Sequence, residues 1–433
     1  MKILNELRSH FKAVKKTKVI TNTGWQVLDK IVRLATASFS LVLMVRYFHP
    51  EEYGAYNYAL AFISFFDIVS TLGANQILTR DIVKEPENEE EIVTTALVLR
   101  VFSGLLLAAI ANYVSGIFVK DAAIRLLVFV FSLKTAFRAA EPIELFFQSK
   151  LEYKCIAYSK IISYLFSFIL LFSIIHSKQS IVFVALIPAV EIFVSSLGLI
   201  FVYLRGRKIC FPQISLLRMR KVFADSWPLI FSGIAVTLYM RIDQIMIGHM
   251  SGNSELGLYS SAVRLTEVFY VFPIAFIQSN FPNIVRLKES DETEFYNSLQ
   301  TLYNRVSLMG YVFAILVTIF SKNIVTILYG ESYIEASPIL SLLIWSVLFV
   351  ALGVARSSFL ITMNWNISYL KTVAMASVLN IILNFMLIPK NGAFGAAIAT
   401  VFSYWFAVHG ACFFFRPLYR TGRMLTKSLV LIK

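Results

Sequence analysis

The sequence predicts an all-α polytopic membrane protein of about 12 transmembrane helices, and its composition is the first reason. Of the 433 residues, 58% are hydrophobic and 15% are charged, whereas soluble domains carry about a quarter charged residues. The mean hydropathy is +0.70. Apolar stretches of roughly 20 residues, enough to cross about 30 Å of hydrocarbon, recur along nearly the whole chain. No long polar stretch remains to form a separate soluble domain.

A repeated pattern divides these spans into two lobes of six helices. The pattern Gly-x-Tyr-x-x-Ala follows an apolar segment and a turn at residues 54–59, and again 203 positions later at residues 257–262. A tryptophan opens each copy, at Trp25 and at Trp227. Six spans per copy bring the second copy into the membrane from the same side as the first. We therefore expect a parallel internal repeat, with an axis along the membrane normal.

Twelve spans are predicted in chain order. Their ranges are 24–46, 54–78, 93–118, 124–147, 157–176, 181–204, 223–248, 257–282, 302–321, 335–360, 370–389 and 394–416.

The distribution of positive charge predicts the topology. The connections on one side, with the adjoining span ends, hold 25 of the 40 Lys and Arg, and the other side holds six. The positive-inside rule makes the rich side cytoplasmic, so both termini face the cytoplasm. The net charge of +14 is thereby explained without nucleic acid as a partner.

This topology gives five segments. They are a basic amphipathic helix on the membrane surface (1–23), an N-terminal lobe (24–204), a basic cytoplasmic linker (205–222), a C-terminal lobe (223–416) and a basic cytoplasmic tail (417–433). The acidic connection 79–92 is interpreted as a solvated surface. The three cysteines are scattered, which predicts neither a disulfide framework nor a metal site.

Ionisable residues within the spans are the candidate functional residues, because charge in hydrocarbon is costly and usually faces a bundle interior or a wet cavity. The substrate-binding candidates are the cations Arg33, Arg100, Lys134, Arg138, Arg241, Arg264, Arg305 and Arg356. The ion-coupling candidates are the carboxylates Asp67, Glu141, Glu191 and Asp243.

Helical spacing sorts some of these charges. Lys134, Arg138 and Glu141 fall at i, i+4 and i+7, on one face of the fourth span, with Pro142 placed to kink it. The stripe either lines a water-filled cavity or includes a self-neutralising Arg138–Glu141 pair. Counting from the hairpin turns at about 1.5 Å per residue matches the depths of two further pairs. These are Arg33 with Asp67, and Asp243 with Arg264.

Three arginines lie near predicted cytoplasmic span ends: Arg100, Arg305 and Arg356. Either they extend their side chains to the interface, or they form a cationic vestibule, since the planar guanidinium donates two parallel hydrogen bonds to phosphate. Candidate sugar contacts are scattered polar and aromatic residues: Tyr239, Gln278, Asn380 and Asn384.

Four stretches carry a resemblance to a known family. They are RYFHPEEYGAY at 46–56, TLGANQ at 71–76, YMRIDQIMIG at 239–248 with GLYS at 257–260, and IPKNGAFGAAIAT at 388–400. In this order and spacing the chain resembles the Wzx-type polysaccharide flippases of the multidrug/oligosaccharidyl-lipid/polysaccharide exporter superfamily, over essentially its whole length.

The resemblance implies a V-shaped pair of lobes around a central cavity. It implies flipping of an undecaprenyl-pyrophosphate-linked oligosaccharide repeat unit across the bacterial inner membrane by alternating access. The product would serve O-antigen, capsule or exopolysaccharide assembly. No cofactor is expected, although H⁺ or Na⁺ coupling is possible for the family. The expected partners are the lipid-linked oligosaccharide, inner-membrane lipids and the polysaccharide polymerase and chain-length machinery. We expect a monomer.

Two alternatives stay open. A multidrug exporter of the same superfamily is disfavoured by nine membrane-embedded Lys and Arg, which would repel a cationic drug. A polytopic glycosyltransferase or polymerase would need an Asp-x-Asp-like metal site or a long outer loop with acid/base groups, and the sequence has neither. We therefore expect a transporter and not an enzyme.

Overall fold

A computed structural model describes residues 2–205, 214–363 and 365–431. All regular elements in these ranges are helices, which confirms the predicted all-α class. A helix pairs its backbone N–H and C=O groups within one segment, so it is the structure expected of apolar stretches that cross hydrocarbon.

The chain forms two compact units. The first comprises Met1–Tyr47 and Phe62–Ile234, and the second Phe48–Ala61 and Ala235–Lys433. The predicted lobes, 24–204 and 223–416, differ from these units in the region of the repeated motif. The predicted linker 205–222 falls partly outside the described residues.

The first unit contains eight helices and parts of two others. These are α1 (Lys2–Tyr47), the second part of α2 (Pro50–Ser70), α3 (Asn75–Lys84), α4 (Glu89–Phe118), α5 (Ala122–Phe137), α6 (Glu141–Ser149), α7 (Tyr153–His176), α8 (Ile181–Ala185), α9 (Ile187–Arg205) and the first part of α10 (Leu216–Met250). Helix α7 packs along α1 and α9, and α4 packs along α5. A single helix, α1, runs through the predicted boundary at residue 23, so the separate surface role of 1–23 stays a prediction.

The second unit contains the remaining helices. These are α11 (Asn253–Ser290), α12 (Glu292–Tyr329), α13 (Ala336–Leu343), α14 (Ser346–Thr362), α15 (Asn366–Val408) and α16 (Tyr419–Leu429). Its core joins α11, α12 and α14 through side chains such as Ile284, Phe295 and Phe359, and α16 adds Leu425. The predicted basic tail is therefore in part an ordered helix.

Nine helical segments of the described chain are long and apolar enough to cross a membrane. One of them holds two predicted spans, because Gly392 has φ 53° and ψ −135° and breaks α15. The other two predicted spans are α1 and the α5–α6 segment. Both carry several charges, including Asp29, Lys30 and Arg33 in α1. The prediction of about 12 spans therefore corresponds to helices throughout.

The predicted cytoplasmic connection 283–301 is not a loop. Helices α11 and α12 have 38 residues each and are separated by Asp291 alone. At 1.5 Å per residue each is about 57 Å long, almost twice the hydrocarbon thickness. The hydrophobic pattern marks only the part inside the membrane, which is why polar helical ends were predicted as a loop.

The acidic connection 79–92, predicted as a solvated surface, has exposed residues at 86–88 and also forms ion pairs. The guanidinium of Arg218, at the start of α10, donates to Glu85 and to Glu91, at 3.0 Å each. We call these three residues the Arg218 clasp. The hydrogen bond from Arg218 holds the pKa of Glu85 below its ordinary value. Acidic and basic segments distant in sequence thus neutralise each other within the first unit.

The repeated glycines have a shared structural purpose within the second unit. A Cβ on Gly54 would lie 1.7 Å from the carbonyl oxygen of Asn253, and a Cβ on Gly257 would lie 1.9 Å from that of Pro50. The first turns of α2 and α11 therefore cross at backbone contact, reciprocally. Only glycine permits this approach, which explains why both copies of the motif begin with it.

Candidate functional site

The candidate site in the first unit begins at a break in the second span. Leu72 and Gly73 have positive φ, 51° and 58°, so α2 ends and α3 starts at Asn75. A Cβ on Gly73 would lie 2.8 Å from the Cβ of Leu229, so the turn is also tightly packed. A broken helix at membrane depth leaves carbonyl groups that need other donors.

Arg100 supplies those donors. Its guanidinium donates to the carbonyl of Ser70 at 3.1 Å and to the side chain of Asn75, and it lies 3.6 Å from the carboxylate of Glu141. The Arg100 side chain is 4% exposed. Of the two alternatives for Arg100, extension to the interface does not hold, because the broken helix and Glu141 keep the side chain inside the unit.

A second break follows in the fourth span. Residues Arg138–Ala140 form a 3₁₀ turn between α5 and α6, directly before Pro142, which confirms the predicted kink. Arg138 and Glu141 pair at 3.4 Å, as their i, i+3 spacing allows. Asn75 also donates to Glu141, at 3.0 Å. The two broken helices are thus joined through one carboxylate.

The partner of Asp67 differs from the prediction. Lys134 lies 2.8 Å from the Asp67 carboxylate, and Thr135 donates a hydrogen bond to it. Arg33 makes no ion pair with Asp67 in the described structure. Depth counting matched the heights of Arg33 and Asp67 but not the direction of their side chains, which turns by about 100° per residue around a helix.

Arg33 instead lines a polar cavity of about 340 Å³ together with Arg138 and Lys160. Three carboxylates, Glu141, Glu144 and Glu191, and hydroxyl groups that include those of Ser163 and Tyr164 also line it. Lys160 and Glu144 pair at 2.5 Å. We call this space the N-terminal cavity. It brings together two predicted cations and two predicted carboxylates, and Lys134 does not line it.

Asp243 in the second unit is buried and has hydroxyl and amide partners. Tyr259 donates to its carboxylate, and the backbone N–H of Gln244 donates at 2.8 Å. The Tyr259 hydroxyl also lies 3.0 Å from that of Thr400. Arg264 pairs with Glu267 at 3.0 Å, one turn along the same helix. The predicted Asp243–Arg264 pair is therefore wrong for the same angular reason as the first.

The other three cations of the second unit have separate environments. Arg241 is half-buried, and Arg305 is exposed. Arg356 is 2% exposed and donates to the carbonyl of Ala407 at 3.0 Å and to Thr372 at 3.3 Å. Arg356 thus fixes α15 from within the unit, so the alternative in which it extends to the interface does not hold. The eight cations do not form one cluster within either unit.

Sequence reasoning missed several residues of the site. Asn75 and Thr135 bind predicted site carboxylates, and Lys160 pairs with Glu144, a cavity carboxylate outside the predicted set. Asn75 lies in the stretch TLGANQ at 71–76, and Tyr259 lies in the repeated motif. These motifs were the available signal, although they did not indicate a partner. The predicted sugar contacts Asn380 and Asn384 are buried and bond to each other at 3.0 Å.

Charged groups held at broken membrane helices are the arrangement of polytopic transporters, whose sites are built from discontinuous helices. The fold and the N-terminal cavity thus define a multi-pass membrane protein of transporter type. The family model described as "Polysaccharide biosynthesis protein" matches residues 19–288, so the chain belongs to that family. The model MatE matches residues 228–386.

Individual relatives agree. The capsular polysaccharide biosynthesis protein CapF of Staphylococcus aureus is 23% identical over 408 residues, covering 93% of this chain and 100% of the relative. A putative O-antigen transporter of Escherichia coli K12 is 22% identical, covering 82% and 86%.

A solved structure of the lipid II flippase MurJ, in an inward closed conformation, has a TM-score of 0.72. It is 17% identical to this chain and covers 95% of it and 91% of its own length, so this likeness shows the fold. Together the comparisons confirm the resemblance to the polysaccharide flippases of the exporter superfamily.

Proposed function

We propose that the protein flips undecaprenyl-pyrophosphate-linked oligosaccharide repeat units across the bacterial inner membrane for surface polysaccharide assembly. The observation that carries this proposal is the N-terminal cavity, which holds Arg33, Arg138 and Lys160 among apolar helices. The family match and the names of the relatives support a polysaccharide pathway. They also support a transporter rather than an enzyme.

The cavity suits a pyrophosphate headgroup. A guanidinium donates two parallel hydrogen bonds to a phosphate, and such charge-assisted bonds are about twice as strong as neutral ones. Arg138 is held by Glu141 at 3.4 Å, a weak contact that an incoming phosphate can replace. Glu141 then keeps Asn75 and Arg100 as partners. The carboxylates thus neutralise the cations while the cavity is empty and release them to the substrate.

Alternating access supplies the route. We propose that the cavity opens first to the cytoplasm, where the lipid-linked unit is made, and then to the outer side. Both termini are cytoplasmic in this scheme, in agreement with the 25 Lys and Arg on that side. Transporters built from internal repeats commonly work in this way around a site at membrane depth. The polymerase and chain-length machinery would take the product.

A multidrug exporter is the alternative, and the MatE match over residues 228–386 favours it to the extent that it shows a shared fold. The N-terminal cavity disfavours it, because its three cations balance its three carboxylates and leave no net negative charge to attract a cationic drug. An anionic lipid headgroup fits the same cations.

The test is the amount of surface polysaccharide made by cells that carry Arg138→Ala or Arg33→Ala. We expect a loss of about tenfold in each variant at equal membrane abundance, since a charge-assisted hydrogen bond contributes about 1.5–3 kcal/mol. Arg125→Ala is the matched control, because Arg125 is an exposed residue of α5, the helix that ends just before Arg138. Normal polysaccharide in both test variants would refute the assignment.

A further inference from the structure

The cytoplasmic ends of α11 and α12 form a hairpin with its own cleft. Because each helix is about 57 Å long, the hairpin extends beyond the hydrocarbon on the side predicted to be cytoplasmic. The cleft has a volume of about 580 Å³, within the range of small-molecule sites. Its lining includes Phe276, Asn283, Asp291, Glu294, Asn297 and Arg305.

The exposure of these groups shows that they are available to a ligand. Asn283, Asn297 and Arg305 are all exposed. Arg305 has no carboxylate in ion-pair contact within the described ranges, unlike Arg138 and Arg264. Asp291 accepts one hydrogen bond, from the backbone N–H of Glu294 at 2.9 Å, and retains other lone pairs. The cleft therefore presents amide, carboxylate and guanidinium groups, which together provide both donors and acceptors of hydrogen bonds.

This chemistry fits a saccharide better than a phosphate. Each sugar hydroxyl both donates and accepts, so it pairs with the amides of Asn283 and Asn297 and with the carboxylate of Asp291. Two carboxylates beside one guanidinium repel a pyrophosphate. The Phe276 ring gives an apolar wall against which the C–H face of a sugar ring packs. Asn380 and Asn384, in contrast, are buried and paired with each other.

We propose that this cleft is a saccharide-binding subsite that recognises the glycan of the lipid-linked substrate on the cytoplasmic side. The inference rests on the proposed function. It separates two tasks: the N-terminal cavity takes the pyrophosphate, and the hairpin cleft takes sugar hydroxyls. The subsite gives the protein a means of preferring carriers that bear a glycan over the bare carrier.

The experiment measures the affinity of the purified full chain in nanodiscs for two probes. One is undecaprenyl pyrophosphate, and the other is undecaprenyl-pyrophosphate-N-acetylglucosamine. We expect the wild type to bind the sugar-bearing probe about tenfold more tightly, the effect of one or two hydrogen bonds. In Asn297→Ala and in Arg305→Gln this preference falls below about twofold, while affinity for the bare carrier stays unchanged.

Arg286→Gln is the control, since Arg286 is exposed on α11 outside the cleft lining, and it keeps the wild-type preference. Equal weakening for both probes in the test variants would overturn the inference, as would an unchanged preference. A wild type that binds both probes equally overturns the subsite alone. A wild type that binds neither probe overturns the proposed function.

Discussion

At the scale of single residues, the structure shows two contrasting kinds of membrane cation. Arg100 and Arg356 are 4% and 2% exposed and donate to backbone carbonyls of broken or packed helices. Arg33 and Arg138 line the N-terminal cavity. Burial with a backbone partner indicates a structural cation, and access to a cavity indicates a binding one. Net charge along the sequence does not distinguish the two.

This division predicts that Arg100→Gln destabilises the fold, whereas Arg138→Gln does not. Without the Arg100 guanidinium, the Ser70 carbonyl loses a hydrogen bond and the Glu141 carboxylate loses an ion pair. Breaking a buried pair in this way costs about 3–5 kcal/mol. We expect a lower thermal midpoint and less folded protein for Arg100→Gln in detergent. Equal stability of the two variants would show that Arg100 is not structural.

How far single contacts could be predicted depends on the distance along the chain. The Arg138–Glu141 pair follows from i, i+3 spacing within one segment, and the structure has it at 3.4 Å. The predicted partners of Asp67 and Asp243 were wrong, because the side chains of Arg33 and Arg264 point in other directions around their helices. A sequence gives the height of a residue in a span from a count, but the rotation of neighbouring helices depends on packing that the count omits.

At the scale of elements, hydrophobic length predicted the spans and failed at their polar ends. Residues 283–301 continue two helices, and residues 85–91 contact the start of α10. A polar helix outside the membrane has the same composition as a loop, so hydropathy cannot separate them. The repeat predicted a duplication but not the close approach of Gly54 and Gly257 to opposite backbones, which only the structure shows.

The Arg218 clasp predicts a pH-dependent contribution to stability. Arg218 keeps the pKa of Glu85 below its ordinary value of 4.5, so the Glu85 carboxylate stabilises the fold at pH values above that value. The contribution is lost as pH falls through the lowered pKa of the folded state. At pH 7, Glu85→Gln is expected to lower stability by about 0.5–1 kcal/mol.

The measurement is the difference in thermal midpoint between wild type and Glu85→Gln from pH 7 to pH 3.5. We expect the difference to shrink as the pH falls below about 4.5. Glu87→Gln is the control, because Glu87 is exposed in the same connection and should show little effect at any pH. A difference that is constant with pH would contradict the electrostatic origin of the clasp.

At the scale of the whole molecule, the two repeats share backbone contacts but carry different polar groups. The first unit places Asp67 against Lys134, and the second places Asp243 against Tyr259 and the Gln244 amide. The two copies therefore share the backbone contacts at Gly54 and Gly257 but differ in the polar groups around each carboxylate. A carboxylate that faces a cation and one that faces hydroxyls offer a bound ion different neighbours, which suits coupling at one of the two.

We therefore expect translocation to depend on an ion gradient and to lose that dependence in Asp67→Asn or in Asp243→Asn. The assay is movement of undecaprenyl-pyrophosphate-N-acetylglucosamine in proteoliposomes under imposed pH or sodium gradients. An effective coupling changes the rate by about fivefold or more. Asp121→Asn is the control, because Asp121 caps α5 through the Ala123 N–H and Asn caps equally well. A wild-type rate that is the same with and without both gradients would exclude ion coupling. If only one variant abolishes the response, the coupling carboxylate lies in the unit of that variant.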